Sequence, residues 1–484
     1  MRRARLTVSV LSAFALAACS ADTPAPLAPL ATPDAASRSV SASSGRYILG
    51  SNSGFSNDLA ARVAALGGTL ERVHNDAGIA VVSGISDAAA TTLSSIGGVN
   101  EVEADVEFSL DAPTAEVGAD VSAVQDPSVA SVSNPAGAPR YSWQWNMRDI
   151  HASEAWAAGK LGDAGVTVAI LDTGIDYDNP DLNGLVDLGR SASFISTDDA
   201  ITSRYFSSRN VISDYNGHGT NVAAQVSSKA AVHAGVTSKT TLIGVKVLSA
   251  RGSGSFSAVL SGVLWAADHG ADVANMSLGG GFSKAGNGRF LSLINKAFNY
   301  AKAKGMLVVV AAGNQASDLD HNGNFFASYC DAPHVVCVSA VGPETATGNM
   351  DIPAFYTNFG RSSISVAGPG GNIGTTPTLW PYGLGTGSYV WSYCSKTRLA
   401  FNANGVLLGY AGCQAGNRVS GYIGTSQATP HVAGLAALLV SVNGHGRPQQ
   451  IKNSIERSAD DLGQPGTDPF FGRGRINVAK ALGM

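Results

Sequence analysis

The sequence predicts an α/β fold, a parallel sheet flanked by helices, with a small α+β domain in front of it. Three observations predict it. Five runs rich in branched residues, at 166–171, 241–247, 273–276, 306–311 and 335–341, lack the apolar–polar alternation of a strand with one wet face; each is expected to be covered on both faces, as in a parallel sheet. Helical patterns at 256–269 and 287–304 fall between these runs, in the alternation that crossover-connected strands require. Ahead of this region, residues 46–108 follow the different order β-α-β-β-α-β.

Arg2, Arg3 and Arg5 precede an apolar stretch at 6–18, the charged and apolar parts of a secretory signal. The stretch is shorter than the ~20 residues that span a bilayer. Leu16-Ala17-Ala18-Cys19 resembles the lipobox of bacterial lipoproteins, which implies a lipid on Cys19 after cleavage of 1–19; an ordinary small-residue cleavage site is the other reading. Residues 20–45, rich in Ala, Pro, Ser and Thr, read as a flexible tether.

The small domain, 46–110, opens with a strand at Tyr47-Ile48-Leu49. Asn57-Asp58 cap a helix at 59–66 that Gly67-Gly68 end. Strands at 69–73 and 79–82 flank the turn residues Asn75-Asp76, a helix at 87–96 stops at Gly97-Gly98, and a last strand runs over 99–108. This is the ferredoxin-like order, which by itself predicts no function. Residues 111–140 show no period and read as a linker to the large domain, 141–484.

Composition narrows the partners. Charged residues make 14% of the chain, the net charge is −4, and no block of like charge could neutralise a run of phosphates, so nucleic acid is excluded; membrane contact is expected only through the N-terminal lipid. Apart from Cys19 there are four cysteines, even in number, as in an oxidising compartment. They allow three pairings. Cys330 with Cys337 and Cys394 with Cys413 are favoured as sequence neighbours, and metal binding is the weaker reading because no CxxC pair is present.

Three motifs carry chemistry. Leu171-Asp172-Thr173-Gly174 puts a carboxylate at the end of a buried strand, where open α/β sheets place their sites, although an Asp before Gly is as readily a turn former. Asp214-Tyr215-Asn216-Gly217-His218-Gly219-Thr220 sets a histidine between two glycines at the start of a small-residue helix, which lets backbone or substrate approach the ring. Gly424-Thr425-Ser426-Gln427-Ala428-Thr429-Pro430-His431 places a serine at a helix N-terminus, where unpaired N–H groups favour developing negative charge. A plain serine cap would need neither the preceding glycine nor the following proline.

Asp172, His218 and Ser426 stand in the chain order Asp, His, Ser that distinguishes subtilisin-type enzymes from other serine hydrolases. On these motifs the region 143–484 resembles the subtilases, serine proteases with a subtilisin-like parallel sheet. The resemblance implies a triad of Asp172, His218 and Ser426, with Asn314 of Ala311-Ala312-Gly313-Asn314 stabilising the oxyanion. It also implies that Gly252, Ser253 and Gly254 belong to the substrate-pairing strand, and Ser277, Leu278 and Gly279 to the wall of the pocket for the residue before the cut. Residues 46–108 are similar in position and topology to the family's inhibitory propeptide. A secreted, self-processing, monomeric endopeptidase acting on proteins or peptides is therefore expected, its own propeptide serving as intramolecular inhibitor. Peptide binding without catalysis and acyl transfer to an amine are the alternatives.

The chain departs from the family's pattern at Asn221, Ala224 and Gln427, and in an insertion over 372–423. No cofactor is required for the chemistry. A structural Ca²⁺ is common in the family, yet the familiar loop is not recognisable over 227–235. Asp318, Asp320 and Asn322 open like an EF-hand cage, with Tyr329 where the closing Glu belongs; a solvated polar loop is the simpler reading.

Overall fold

The computed structural model of the protein describes residues 41–110, 115–120, 131–284, 288–343, 348–372, 388–402, 405–411 and 418–484. Cys19 and Cys413 lie outside them, as do the signal and most of the tether.

The small unit consists of β1 (Ser41–Gly50), α1 (Leu59–Ala65), β2 (Thr69–His74), β3 (Ile79–Ser83), α2 (Asp87–Leu93) and β4 (Glu101–Ser109). Its strands pair antiparallel in the order β2-β3-β1-β4. Along β1 successive side chains leave by opposite faces. Tyr47 and Leu49 join Leu59, Val63 and Leu93 in the unit's own core, whereas Ile48 joins the core of the large unit. Both faces of this sheet are thus covered. β1 begins at Ser41, inside the stretch whose composition reads as tether, because Ser41 and Ala42 pair with Glu107 and Val106.

In the large unit, β5 (Ala115–Asp120) precedes α3 (Trp145–Asp149) and α4 (Ala152–Ala157). The main sheet has seven parallel strands: β6 (Thr167–Asp172), β7 (Ala192–Ser193), β8 (Thr241–Lys246), β10 (Val273–Met276), β12 (Leu307–Ala311), β14 (Val335–Val341) and β15 (Val366–Pro369). Their order is β15-β14-β12-β10-β6-β8-β7. Val168 and Ile170 of β6 enter one core and Ala169 and Leu171 the other, the physical reason these strands read as unbroken apolar runs. The helices are α5 (Ser196–Tyr205), α6 (His218–Val226), α7 (Phe256–Asp268), α8 (Gly288–Ala303), α9 (Thr425–Asn443), α10 (Pro448–Ser458) and α11 (Val478–Ala481).

Shorter strands surround this frame. β9 (Ser253–Ser255) extends the small sheet by pairing antiparallel with the end of β4. β11 (Phe282–Ser283) pairs with β13 (Phe325–Phe326), and β17 (Leu399–Phe401) with β18 (Leu407–Tyr410). β16 (Val390–Tyr393), β19 (Arg418–Ile423) and β5 form a three-stranded sheet. The stretch that composition marks as a linker therefore contributes a strand, because its backbone is paired by β19, a partner some 300 residues away in sequence.

Candidate active site

The sheet grows from β6 through β10 in one direction and through β8 in the other, so Asp172, the last residue of β6, sits at a topological switch point. Its Oδ1 accepts from the Thr173 N–H at 2.7 Å and lies 2.8 Å from His218 Nδ1. Asp172 and His218 are both buried. A carboxylate oxygen can only accept, so Nδ1 carries the proton and Nε2 is the basic nitrogen.

His218 opens α6, and a second buried carboxylate shapes the loop ahead of it. Asp214 Oδ1 accepts from Thr173 Oγ1 at 2.9 Å, Asn216 N at 3.0 Å and Gly217 N at 2.8 Å. Its Oδ2 accepts from Thr220 N at 2.9 Å and Thr220 Oγ1 at 2.6 Å. Sequence reasoning quoted Asp214 without giving it a role; an Asp three residues before Gly217 is the available signal, since Asp side chains close turns on following N–H groups. Gly219 is required by close approach, because a Cβ there would lie 2.1 Å from the Gly174 carbonyl oxygen.

Ser426 is the second residue of α9, at the end of the helix where N–H groups are unpaired by the helix itself. Its hydroxyl donates to the Ser277 carbonyl at 3.1 Å, and the Ser277 hydroxyl donates to the Ser426 carbonyl at 2.8 Å. Asn314 comes to the same place from the loop after β12. Its Oδ1 accepts from Thr425 N and Thr425 Oγ1, both at 2.8 Å, while Thr425 Oγ1 accepts from Gly313 N at 3.1 Å. With Oδ1 committed to Thr425, the donor Nδ2 faces the other way; it lies 3.4 Å from where a Cβ on Gly424 would stand. Thr425 is a positioning residue that sequence reasoning passed over.

Two of the departures meet each other: Gln427 Nε2 donates to Asn221 Oδ1 at 3.5 Å, and Asn221 Nδ2 to the Ser420 carbonyl of β19 at 3.4 Å. Deeper in α9, His431 Nδ1 donates to the Gln427 carbonyl at 2.7 Å, and its Nε2 accepts from Asn146 Nδ2 at 2.7 Å. Burial holds His431 down at about 4.

Of the substrate-binding candidates, Ser253 and Gly254 lie in β9 opposite Ser109 and Phe108, and the Leu110 N–H donates to the Gly252 carbonyl at 2.6 Å. The Phe108 ring packs on Phe256, with centroids 5.5 Å apart, and lies against Gly280, the glycine after Gly279, where a Cβ would come within 3.4 Å of it. Ser277 and Leu278 are buried, and Ser277 is tied to α9 through Ser426.

Cys330 and Cys337 are joined in a disulfide, Cα atoms 5.1 Å apart. Cys394 is also disulfide-bonded, and its expected partner Cys413 lies outside the described residues. The Asp318, Asp320 and Asn322 loop does not fit a calcium cage. Asp320 accepts from the N–H and hydroxyl groups of Ser362 and Ser363 at 2.7–3.1 Å, and Asp318 from Asp320 N at 2.9 Å and His321 Nδ1 at 2.8 Å. Both carboxylates are thus engaged by donors within the protein, and no group of three or more His, Cys, Asp or Glu that could hold a metal occurs among the described residues. Nor is any described helix long and apolar enough to cross a membrane.

Known proteins resemble this chain in sequence and in fold. The model of the Subtilase family matches residues 163–474. Thermitase from Thermoactinomyces vulgaris is 32% identical over 345 residues, 70% of this chain and 96% of that protein. The fold is shared with the epidermin leader peptide processing serine protease of Staphylococcus aureus, at TM-score 0.68 and 19% identity over 91% of this chain and 98% of the other. It is shared also with fervidolysin from Fervidobacterium pennivorans, at TM-score 0.65 and 22% identity over 94% of this chain and 62% of the other.

Proposed function

The chain belongs to the subtilase family of serine endopeptidases, and from that premise we propose that Ser426 is its nucleophile and that the protein is an exported zymogen that cuts itself. A serine hydroxyl needs a base at neutral pH. Rotation about the Ser426 Cα–Cβ bond turns the hydroxyl from the Ser277 carbonyl towards His218, whose Nε2 takes the proton and later returns it to the leaving amine. Asp172 fixes the imidazole tautomer and stabilises the imidazolium without itself being protonated. Asn314 Nδ2 and the Ser426 N–H donate to the oxyanion of the tetrahedral intermediate. Subtilases need no cofactor for catalysis, and no step here requires one.

The observation that carries the zymogen reading is the path of the chain past Ser426. β4 runs antiparallel along β9 and ends at Ser109; β5 resumes at Ala115, antiparallel to β19, the strand that leads into Gly424, Thr425 and Ser426. The small unit also buries Asp105 at the start of α7, where its carboxylate accepts from Ser257 N at 3.0 Å and Ser257 Oγ at 2.5 Å. This supports residues 46–110 as an intramolecular inhibitor and the bonds between Leu110 and Ala115 as the maturation cut. Residues 1–19 would export the chain, and a lipid on Cys19 would anchor only the uncut precursor.

Wild type and Ser426→Ala, expressed as full chains, test this by intact mass and by labelling with a fluorophosphonate probe. Wild type is expected to lose the segment up to the 110–115 region and to take one label; Ser426→Ala is expected to stay whole and unlabelled. Maturation of isolated Ser426→Ala, or a folded wild type that neither cuts nor labels, overturns the reading.

A further inference from the structure

The insertion grips α6, the helix that His218 opens, towards both of its ends. Near the last turn Gln225 Nε2 donates to the Trp391 carbonyl of β16 at 2.8 Å, and the Trp391 ring packs on Trp143 with centroids 5.2 Å apart. From β16 the chain continues through Cys394, which is buried and disulfide-bonded, to the turn ahead of His218. There Ser395 Oγ and Thr397 Oγ1 both donate to the Asp214 carbonyl, at 2.6 and 2.8 Å, and the Leu399 N–H donates to the next carbonyl, that of Tyr215, at 2.9 Å. The Lys396 N–H donates to Asp176 Oδ2 at 2.8 Å, and the Asp176 N–H in turn donates to Thr220 Oγ1 of α6 at 3.0 Å.

Asp214, Ser395 and Thr397 are all buried. A buried carbonyl needs partners, and both lone pairs of this one are met by hydroxyls that lie 181 and 183 residues further along the chain. Leu399 adds an apolar anchor by packing with Tyr215 and Ala250. Arg398 closes on the same turn, since a Cβ on Gly217 would stand 3.5 Å from its Cδ. The Asp214 carboxylate collects donors from Asn216, Gly217 and Thr220, while its carbonyl is fixed from the insertion. We propose that residues 395–399 are a positioning strap for the general base: by holding the Asp214 and Tyr215 carbonyls they fix the turn that aims His218 at Ser426, and they act on the reaction through that turn. The inference rests on the protease reading above. This part of the insertion thus serves the transfer of the Ser426 proton and not the choice of substrate.

The test uses protein matured from the full chain. Ser395→Ala/Thr397→Val removes both hydroxyls, and kcat is expected to fall about tenfold or more with KM unchanged, the cost of a misplaced catalytic group. Fluorophosphonate labelling of Ser426 is expected to slow by the same factor, because the reagent needs the base and does not need the peptide site. Ser395→Ala/Thr397→Ser returns one hydroxyl to the Asp214 carbonyl and should recover most of both rates, a repair that the smaller side chain could not make if packing alone were lost. Should the double variant not fold, Ser395→Ala and Thr397→Val are measured singly and read in the same way. Wild-type kcat and labelling in the folded variants, a loss that falls on KM with labelling unchanged, or a loss that Thr397→Ser does not repair overturns the strap and leaves the protease reading standing. A folded wild type that neither turns over peptide nor takes the label overturns the two together.

Discussion

Between Asp172 and Thr220 buried carboxylates do the positioning: Asp172 holds His218, and Asp214 gathers five donors from Thr173, Asn216, Gly217 and Thr220. Between Gly313 and His431 the same task falls to neutral groups, with Thr425 orienting Asn314 and a carbonyl and an amide holding His431. In the proposed mechanism the two halves meet opposite needs. The first must accept a proton, and a buried anion beside the imidazole favours the cation that forms. In the second an oxyanion forms, and a buried carboxylate there would oppose it, whereas fixed N–H donors do not.

The largest test of this contrast is Asp172→Asn. It keeps the shape and removes the anion, and kcat should fall about 10⁴-fold with the fold intact; a loss below tenfold would mean that charge is not what this half supplies. Asn314→Ala comes next. It removes one neutral donor, so kcat should fall about 10²- to 10³-fold with KM little changed. A large rise in KM instead would move Asn314 from the transition state to ground-state binding. Thr425→Val is smaller. It deletes the hydroxyl that links Gly313 N to Asn314 Oδ1 and leaves that oxygen held by Thr425 N alone, so kcat should fall about tenfold, the share of an imperfectly aligned donor. In Thr425→Val/Asn314→Ala protein that further loss should vanish, and full additivity would show that Thr425 acts elsewhere.

What the sequence made legible follows the same division. β6, β8, β10, β12 and β14 were readable because burial on both faces writes itself as an apolar run, and the small unit because caps and glycine pairs punctuate it. Asp172, His218 and Ser426 were readable as a set from their chain order, and Asn314 only from the family resemblance, since each segment taken alone also reads as a turn or a cap. β15 was not, being four residues that end in Gly-Pro, and neither was the pairing of β5 with β19, since a strand completed by a distant partner carries no local signature. Asp214 and Thr425 were visible as letters only; their roles arise from which donors the fold brings to them.

The last prediction concerns His431, one of three buried histidines with His218 and His233. His218 faces a carboxylate, whereas His431 is hydrogen-bonded to the Asn146 amide and the Gln427 carbonyl and is held at about 4. Above the ordinary histidine value of about 6.5 neither the folded nor the unfolded chain protonates residue 431, and it contributes nothing to pH dependence. Between there and about 4 only the unfolded chain takes the proton, so stability falls with falling pH, by up to about 1.4 kcal/mol per unit for this one group. Below 4 the loss levels off. His233, pushed down to about 3 by burial and then by the Arg140 charge, adds a loss of the same sign. Asp181 and Asp149, raised by burial to about 6 and about 7, act in the opposite sense, because the folded chain takes their protons first. The informative quantity is therefore a difference. In a Ser426→Ala background that prevents self-digestion, urea unfolding at pH 6.5, 5.5 and 4.5 should give His431→Gln a shallower acid loss than its parent by about 1 kcal/mol per unit. Parallel slopes would show that residue 431 is protonated in the folded protein, and that the Ser426 half of the site tolerates a buried cation.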